Sequence, residues 1–465
     1  MQSTIHFYGG TGTVTGSNFL FTPNSAGEDA KVNILIDCGL FQGKHSFEDD
    51  NWNPFPFDPK NISTLVVTHA HIDHIGRIPK LVKDGFRGTI ISTEATKALA
   101  EPLLLDAMEL SGRTALKIGK EPLYTEKDIA QAMRQWRTVP YHTAHDVGEG
   151  ISLEFLNAGH ILGSAMARFT RGDKTLVFTG DLGGGNSPLL SAVETPVGTN
   201  YLVMESVYGN RTRPDDTKRR DMLEKILEDA VALGGTLLIP AFSTERTQDL
   251  LFEIRSLYTE KRVTSVPVYI DSPLAQRITD AYLAHPEYFS ADIEARVRGG
   301  EKIFSFPELQ IVEGREESEK IRVQSGPKII IAGSGMSNGG RVVGHEAQIL
   351  PDEKSTLLIV GYQSAGSLGR QLLEGAKIVT IHGEKIPVRC KVVVLYGYSA
   401  HMDGEQLLEF VNAIADTPEH KDVLSNVFVV MGEPAASSFL VQRIRDYLGV
   451  RAVAPESGDT AEIDF

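Results

Sequence analysis

From the N-terminus to about residue 205 the chain is a series of short apolar runs with a period near two: STIHFYGG, NFLF, VNILID, STLVVTHA, ISLEFLNAGH, AMARFTRG, KTLVFTGD and NYLVMES. Many end in Gly, Asp or His, so they predict short strands closed by tight turns. Apolar positions three and four apart break the series at HIGRIPKLVKDG, ATKALAEPLLLDAMELSG and TEKDIAQAMRQW, where helices are expected. From about 210 to 378 helix and strand alternate regularly: TKRRDMLEKILEDAVALGG, TLLIPA, TQDLLFEIRSLY, VPVYIDS, AQRITDAYLAHP, PKIIIAGSGM, TLLIVGYQ. That alternation predicts βαβ units on a parallel sheet. The charged stretch VEGREESEKIRVQSG within it is expected to be a solvated loop or hairpin. After 378 short strands return (KIVTIHGEKIPVRC, KVVVLYGYSAH, NVFVVMG) with helices GEQLLEFVNAIAD and SSFLVQRIRDYL. The pattern therefore suggests a parallel-sheet domain inserted into a β-rich one, with boundaries at 1–207, 208–378 and 379–465.

Length and composition narrow the class without choosing a function. The chain has 465 residues, 41% hydrophobic and 23% charged, as in ordinary soluble globular proteins. Its formal charge of −15 excludes nucleic-acid binding through the whole surface, so a polyanion would need a local groove. Divalent ions could reverse the field at one spot. Only Cys38 and Cys390 are present, which excludes a disulfide framework and a CxxC metal site and suits a reducing cytoplasm. Neither a leader peptide nor an apolar run of about 18 residues is recognised, so a soluble, cytoplasmic protein without a membrane span is expected.

The sharpest chemical signal is Thr68-His69-Ala70-His71-Ile72-Asp73-His74-Ile75-Gly76, where strand STLVV ends and a helix begins. Three imidazoles and a carboxylate on one turn can face a cleft, and this donor mixture suits zinc or another borderline transition metal. His69 and His71 can serve one ion while Asp73 and His74 turn to a second. Two further strand ends carry donors, Asn157-Ala158-Gly159-His160 and Thr179-Gly180-Asp181-Leu182-Gly183. His142 and His145 belong to no motif and are taken as structural or exposed.

The order HxHxDH, then a lone His, then a strand-terminal Asp resembles the metallo-β-lactamase superfamily. The resemblance implies an α/β fold, an αββα sandwich with metals at the edge between its sheets. It also implies that His69, His71 and His160 hold one ion, Asp73 and His74 the other, and that Asp181 bridges them. Asp37, in Ile34-Leu35-Ile36-Asp37, resembles the carboxylate that supports a ligand rather than binding metal. Two Zn2+ are expected, with Mn2+ or Fe as alternatives.

The inserted domain and four stretches resemble the β-CASP ribonucleases: Met204-Glu205-Ser206-Val207-Tyr208-Gly209, Ile331-Ala332-Gly333-Ser334-Gly335-Met336, Ile381-His382-Gly383 and Tyr398-Ser399-Ala400-His401-Met402-Asp403. This implies a parallel-sheet β-CASP domain within the sandwich. His401 would complete the second ion's ligands, His382 would assist the leaving group, and Glu205 would orient His382. His401 also favours RNA over DNA. The loop at Ser334, Gly335 and Met336 can turn backbone N–H groups to a phosphate, and Arg246 and Arg370 are candidate phosphate contacts. The expected function is two-metal hydrolysis of single-stranded RNA, bound in a cleft between domains, by a possible homodimer. A DNA nuclease, another hydrolase of this fold and a non-catalytic RNA-binding subunit are the alternatives, and endo- versus exonuclease action is open.

Overall fold

A computed structural model describes residues 2–24, 32–43, 49–185, 187–212, 218–361, 363, 366–416 and 423–465. The chain divides into two compact units: Met1–Gly185 with Leu190–Thr212 and Ala400–Phe465, and Asn186–Leu189 with Arg213–Ser399.

In the first unit two seven-stranded sheets face each other. One runs in the order Thr460–Asp464, Gln2–Gly9, Asn18–Thr22, Ile34–Ile36, Thr64–Val66, Thr89–Ser92, Trp136–Thr138; the other runs Ala452–Val453, Asn426–Val430, Tyr201–Glu205, Lys174–Phe178, Ala165–Arg171, Ile151–Asn157, His145–Gly148. Alternating side chains close the layer between them, with Phe7 against Phe428, Phe19 against Phe178 and Phe21 against Phe169, ring centres 5.5–6.1 Å apart. Such aromatic faces bury large apolar areas and stabilise the sandwich through area and contact geometry together. The period of two shows in Asn426–Val430. Phe428 and Val430 join this inner layer, while Val427 and Val429 pack outward beneath helices Gly404–Ala415 and Pro434–Leu448. Helix Glu94–Ile118 buries Leu99, Leu103 and Leu104 in the outer helical layer associated with the first sheet.

The second unit holds a six-stranded sheet in the order Leu309–Ile311, Val268–Asp271, Lys328–Ala332, Thr236–Pro240, Thr356–Ile359, Lys391–Val394, and every pairing is parallel. Its central strands are buried along their whole length, as a sheet covered on both faces requires. Hairpin Ile378–Ile381 with Glu384–Pro387 also belongs to this unit.

Three expectations change. Strand Lys391–Val394 pairs with Thr356–Ile359, so the second unit extends to Ser399 rather than ending at 378. The stretch read as a solvated loop contains helix Arg315–Val323, with Glu316 and Glu317 in its first turn and Lys320 and Arg322 in its last, each sign opposing the helix dipole. Helix Glu94–Ile118 passes Gly112 and stops at Gly119, whose φ of 68° is the left-handed geometry of a helix C-terminus.

Candidate metal centre

The chemistry-bearing residues of the first unit follow the carboxyl ends of its strands. Asp37 succeeds Ile34–Ile36, the His69 turn succeeds Thr64–Val66, His160 succeeds Ile151–Asn157, Asp181 succeeds Lys174–Phe178, and Glu205 ends Tyr201–Glu205. Backbone bonds lock these ends together: Asp37 N donates to Val66 O (2.9 Å), Cys38 N to His74 O (2.7 Å) and Gly183 N to Ala158 O (2.8 Å). Gly39 must lack a side chain, because a Cβ there would lie 1.5 Å from the Asp73 carbonyl oxygen.

Four donors converge at one point. His71 Nδ1 lies 3.1 Å from both His69 Nε2 and His160 Nε2, and Asp181 Oδ2 lies 3.5 Å from each of the latter two. A tetrahedron of donors about 2.1 Å from a central ion has edges of about 3.4 Å. The cluster has that size. Burial, joined by the neighbouring imidazoles, lowers the pKa of His69, His71 and His160, the last two well below the ordinary histidine value. Neutral imidazoles packed nitrogen to nitrogen lack enough protons to bond one another all round, and a cation satisfies their lone pairs.

A second set of donors shares Asp181. His74 Nε2 lies 3.3 Å from Asp181 Oδ1 and 3.9 Å from Asp73 Oδ2, and both His74 Nε2 and Asp181 Oδ1 are buried without a hydrogen-bond partner. Two buried polar atoms aimed at each other need a proton or an ion between them. On the other side of the ring His74 Nδ1 donates to Asp37 Oδ2 at 2.7 Å, which leaves Nε2 free to ligate. Asp37 also accepts from Thr68 N (2.9 Å), Thr68 Oγ1 (2.9 Å) and Ser17 Oγ (3.1 Å). Burial alone would lower His74, but Asp181 and Asp37 outweigh it and hold the ring well above its usual range. Burial likewise opposes ionisation of Asp181, yet His74 and His69 hold that carboxyl well below the usual range. Without a metal a proton occupies the His74 position, so an ion binds there by displacing it. Both donor sets fit divalent metal: His69, His71, His160 and Asp181 at the first position, Asp73, His74 and Asp181 at the second.

His401 sits beside the first set. Its ring centre is 4.7 Å from that of His160, its Nδ1 is 4.0 Å from Asp181 Oδ2, and the Tyr208 ring meets it edge-on at 5.8 Å. The same Nδ1 lies 3.1 and 3.2 Å from the two oxygens of Glu205, which is fully buried and also accepts from Leu182 N at 2.6 Å. Burial would depress His401, but the Glu205 charge and hydrogen bond, with Asp181, raise it to about 10.

The partners of Glu205 therefore differ from expectation: it holds His401, whereas His382 is exposed on the turn of hairpin Ile378–Pro387 in the second unit. His401, expected on the second ion, bonds Glu205 through Nδ1, which leaves its Nε2 for an ion, and Asp181, Glu205 and His401 bring donor atoms within 4.8 Å of one another. Also in the second unit, Ser334, Gly335 and Met336 lie in the loop between Lys328–Ala332 and helix Arg341–Ile349. Ser334 Oγ accepts from Asn338 N at 3.2 Å, and a Cβ on Gly335 would lie 2.8 Å from the Phe242 ring. Arg246 is buried beside Glu245 (3.6 Å) and over the Tyr398 ring (5.7 Å); Arg370 is partly exposed and bonds Glu374 at 2.6 Å, one turn along its helix. His142 is exposed against Glu194 (3.4 Å). The reading from sequence missed Thr68 and Ser17, which hold Asp37, and Tyr208, which packs on His401. Thr68 and Tyr208 stood inside the quoted motifs, next to the residues they support.

Residues 28–264 match the metallo-β-lactamase superfamily, residues 247–372 the Beta-Casp domain and residues 385–455 the Zn-dependent metallo-hydrolase RNA specificity domain. The chain belongs to the metallo-β-lactamase superfamily and, within it, to the branch that carries a β-CASP domain. Ribonuclease TTHA0252 of Thermus thermophilus is 37% identical over 87% of this chain and 89% of its own length. Transcription termination factor FttA of Methanosarcina mazei is 31% identical over 98% of this chain and 71% of its own. A solved protein of unknown function from Enterococcus faecalis V583 shares the fold over the full length of both chains, with a TM-score of 0.56 and 15% identity. Among the described residues no helix is long and apolar enough to cross a membrane.

Proposed function

We propose that this chain is a metal-dependent ribonuclease that hydrolyses phosphodiester bonds of single-stranded RNA with two divalent ions, zinc in the first instance and manganese or iron as alternatives. The observation that carries the proposal is the meeting, at the strand ends of one unit, of two metal-sized donor sets with a Glu205–His401 pair beside them. The ribonuclease relative, alike over most of its length, supports RNA as the substrate.

When bound, such a pair of ions supplies a deprotonated water at neutral pH and offsets phosphate charge. The chain's own groups do the rest. Burial keeps His69, His71 and His160 neutral, so their lone pairs are available at the centre. Asp37 fixes the tautomer of His74 through Nδ1. Glu205 accepts from His401 Nδ1 and raises the ring's affinity for a proton, which suits His401 to hand one to the departing ribose oxygen. In the second unit the backbone of Ser334, Gly335 and Met336 is assigned to phosphate contact, with Arg370. The buried thiols of Cys38 and Cys390, which burial raises to about 12 and about 11, suit a reducing cytoplasm. A homodimer is the assembly to look for by light scattering.

End-labelled RNA and DNA of one sequence, incubated with Zn2+ or Mn2+, test the assignment. Cleavage of RNA that Asp73→Ala abolishes is the expected result, and the time course separates internal cuts from end trimming. If neither oligonucleotide is cut while a thioester or lactone is, the ribonuclease assignment fails.

A further inference from the structure

Beside the metal centre the first unit holds a recess of about 340 Å3, at the small end of the range of ligand sites. Its floor is made by residues 209–212 and 404–405, two stretches that leave the centre directly. Tyr208, whose ring meets His401 edge-on, pairs with Asp403 in a parallel bridge, and Gly404 N donates to Arg211 O at 2.8 Å. Helix Pro434–Leu448 supplies the wall. Glycines let these segments close on one another: a Cβ on Gly209 would lie 2.8 Å from Ala436 O, and one on Gly404 2.6 Å from Gly209 O.

The wall is aromatic and cationic at once. Phe439, Arg443 and Tyr447 recur every fourth residue and so share one face of the helix. The Arg443 guanidinium lies 5.8 Å from the Phe439 ring centre and 5.5 Å from that of Tyr447, and Glu405 holds it with two bonds of 2.7 and 2.8 Å. That paired grip fixes the plane of the cation. The two rings stay 46% and 71% exposed, so they are not spent on the core. Next to the centre Arg211 stands over Tyr208, 5.7 Å from its ring. Asn210, Gln442 and Asp446 add hydrogen-bonding groups to the lining.

The balance of charge says what kind of group fits. Arg211 and Arg443 are matched by Glu405 and Asp446, so the recess carries no net charge and is not built for phosphate. Exposed rings around a flat cation, with amides and a carboxylate close by, suit an uncharged planar ring with polar edges. We propose that this recess takes one nucleobase of the RNA strand bound at the metal centre, stacked on the face of Phe439, Arg443 and Tyr447, with Asp446 accepting from an exocyclic amino group. The inference rests on the ribonuclease reading and gives it a base preference. A carboxylate only accepts, and adenine, cytosine and guanine carry an amino group for it, whereas uracil carries none.

Steady-state cleavage of short labelled RNAs by the metal-loaded protein tests the assignment. Phe439→Ala and Tyr447→Ala, both at exposed positions, should each raise KM on the order of tenfold, as the loss of one stacking contact does, with kcat little changed. Tyr447→Phe keeps the ring and should recover most of the loss. In oligouridylates carrying a single cytidine, one position beside the cut should give a lower KM than uridine, and Asp446→Asn should erase that difference. Unmoved KM in both alanine variants, no position at which cytidine is preferred, or a preference that survives Asp446→Asn overturns the base pocket, while cleavage of RNA by the wild-type protein keeps the ribonuclease reading. A dimer in light scattering that Tyr447→Ala dissociates, with KM unmoved, assigns the aromatic face to contact between copies and likewise overturns the pocket. A wild-type protein that cuts no RNA overturns the ribonuclease reading, and the pocket with it.

Discussion

Replacing Glu205 by Gln isolates the charge that keeps His401 protonated. The amide keeps the shape of the side chain and an oxygen to accept from Leu182 N, the 2.6 Å bond that ties Glu205 to the strand end after Asp181. What disappears is the negative charge on His401 Nδ1, the largest of the influences that raise the ring from 6.5 to about 10. A ring raised from 6.5 to about 10 corresponds to at most about 5 kcal/mol of stabilisation of its charged form. Asp181 and Tyr208 supply part of it. Without the Glu205 charge, the first of the raising influences, His401 titrates lower. A donor with a pKa of about 10 is about nine-tenths protonated at pH 9, and a lower one proportionately less, so the variant should lose single-turnover rate at pH 9, by up to about tenfold, and little at pH 6.5. Bound cations lower both values, so the diagnostic quantity is the separation between the two alkaline limbs, read on labelled RNA from pH 6 to 10.5. The sign also holds for stability. The folded pKa of His401 lies above its unfolded value, so its contribution is complete below about 6.5 and is lost as pH rises through about 10. Equal loss of rate at every pH, with the limb unmoved, would mean that Glu205 serves only as a backbone anchor.

Further outcomes follow from other parts of the chain. Asp37→Asn, which removes the charged acceptor of His74 Nδ1, should weaken metal binding about ten- to a hundredfold by calorimetry, on the scale of lost outer partners. In the second unit Glu346 is fully buried, and burial raises its carboxyl to about 8 against a hydrogen bond from Ser337. A carboxyl raised in this way lowers stability as pH climbs from its unfolded value of 4.5 through about 8, so Glu346→Gln should flatten that decline and add roughly 1–3 kcal/mol at pH 8 in urea unfolding. Arg370→Ala breaks a partly exposed pair with Glu374 and should change stability by less than about 0.5 kcal/mol in the same measurement, so a clear rise in KM for RNA would reflect phosphate contact instead.

The sandwich was legible because each of its strands records two environments at once. In Asn426–Val430 alternate residues face the inner layer and the covering helices, and that periodicity survives in the bare sequence. The parallel sheet was legible for the complementary reason, since strands buried on both faces read as unbroken apolar runs between helices. What failed lacked such a record. Helix Arg315–Val323 buries only Ser318 and Ile321, so its nine residues show charge and almost no apolar face. Nothing local in Lys391–Val394 says that its neighbour is Thr356–Ile359, because parallel pairing across a crossover depends on the fold around it, and the domain boundary was misplaced by that strand and the hairpin before it.

The candidate site divides along the same line. The donors on the His69 turn, with His160 and Asp181, could be named because strand-end motifs fix residue type and spacing, and the structure brings them within a few ångströms of one another. The partner of Glu205 could not be named that way. His382 and His401 are the same side chain in similarly turn-like surroundings, and the choice between them is made by a contact across 196 residues of sequence. A carboxylate with no exposure at a strand end must find a cation or a donor close by, and His401, Leu182 N and Val207 N reach it. That requirement turns His401 Nδ1 to Glu205, as Asp37 turns His74 Nδ1, and leaves His401 Nε2 toward the centre. One buried charge thus sets both the orientation of the His401 ring and its affinity for a proton, so the pairing that the bare sequence could not show bears on metal binding and on acid–base chemistry alike.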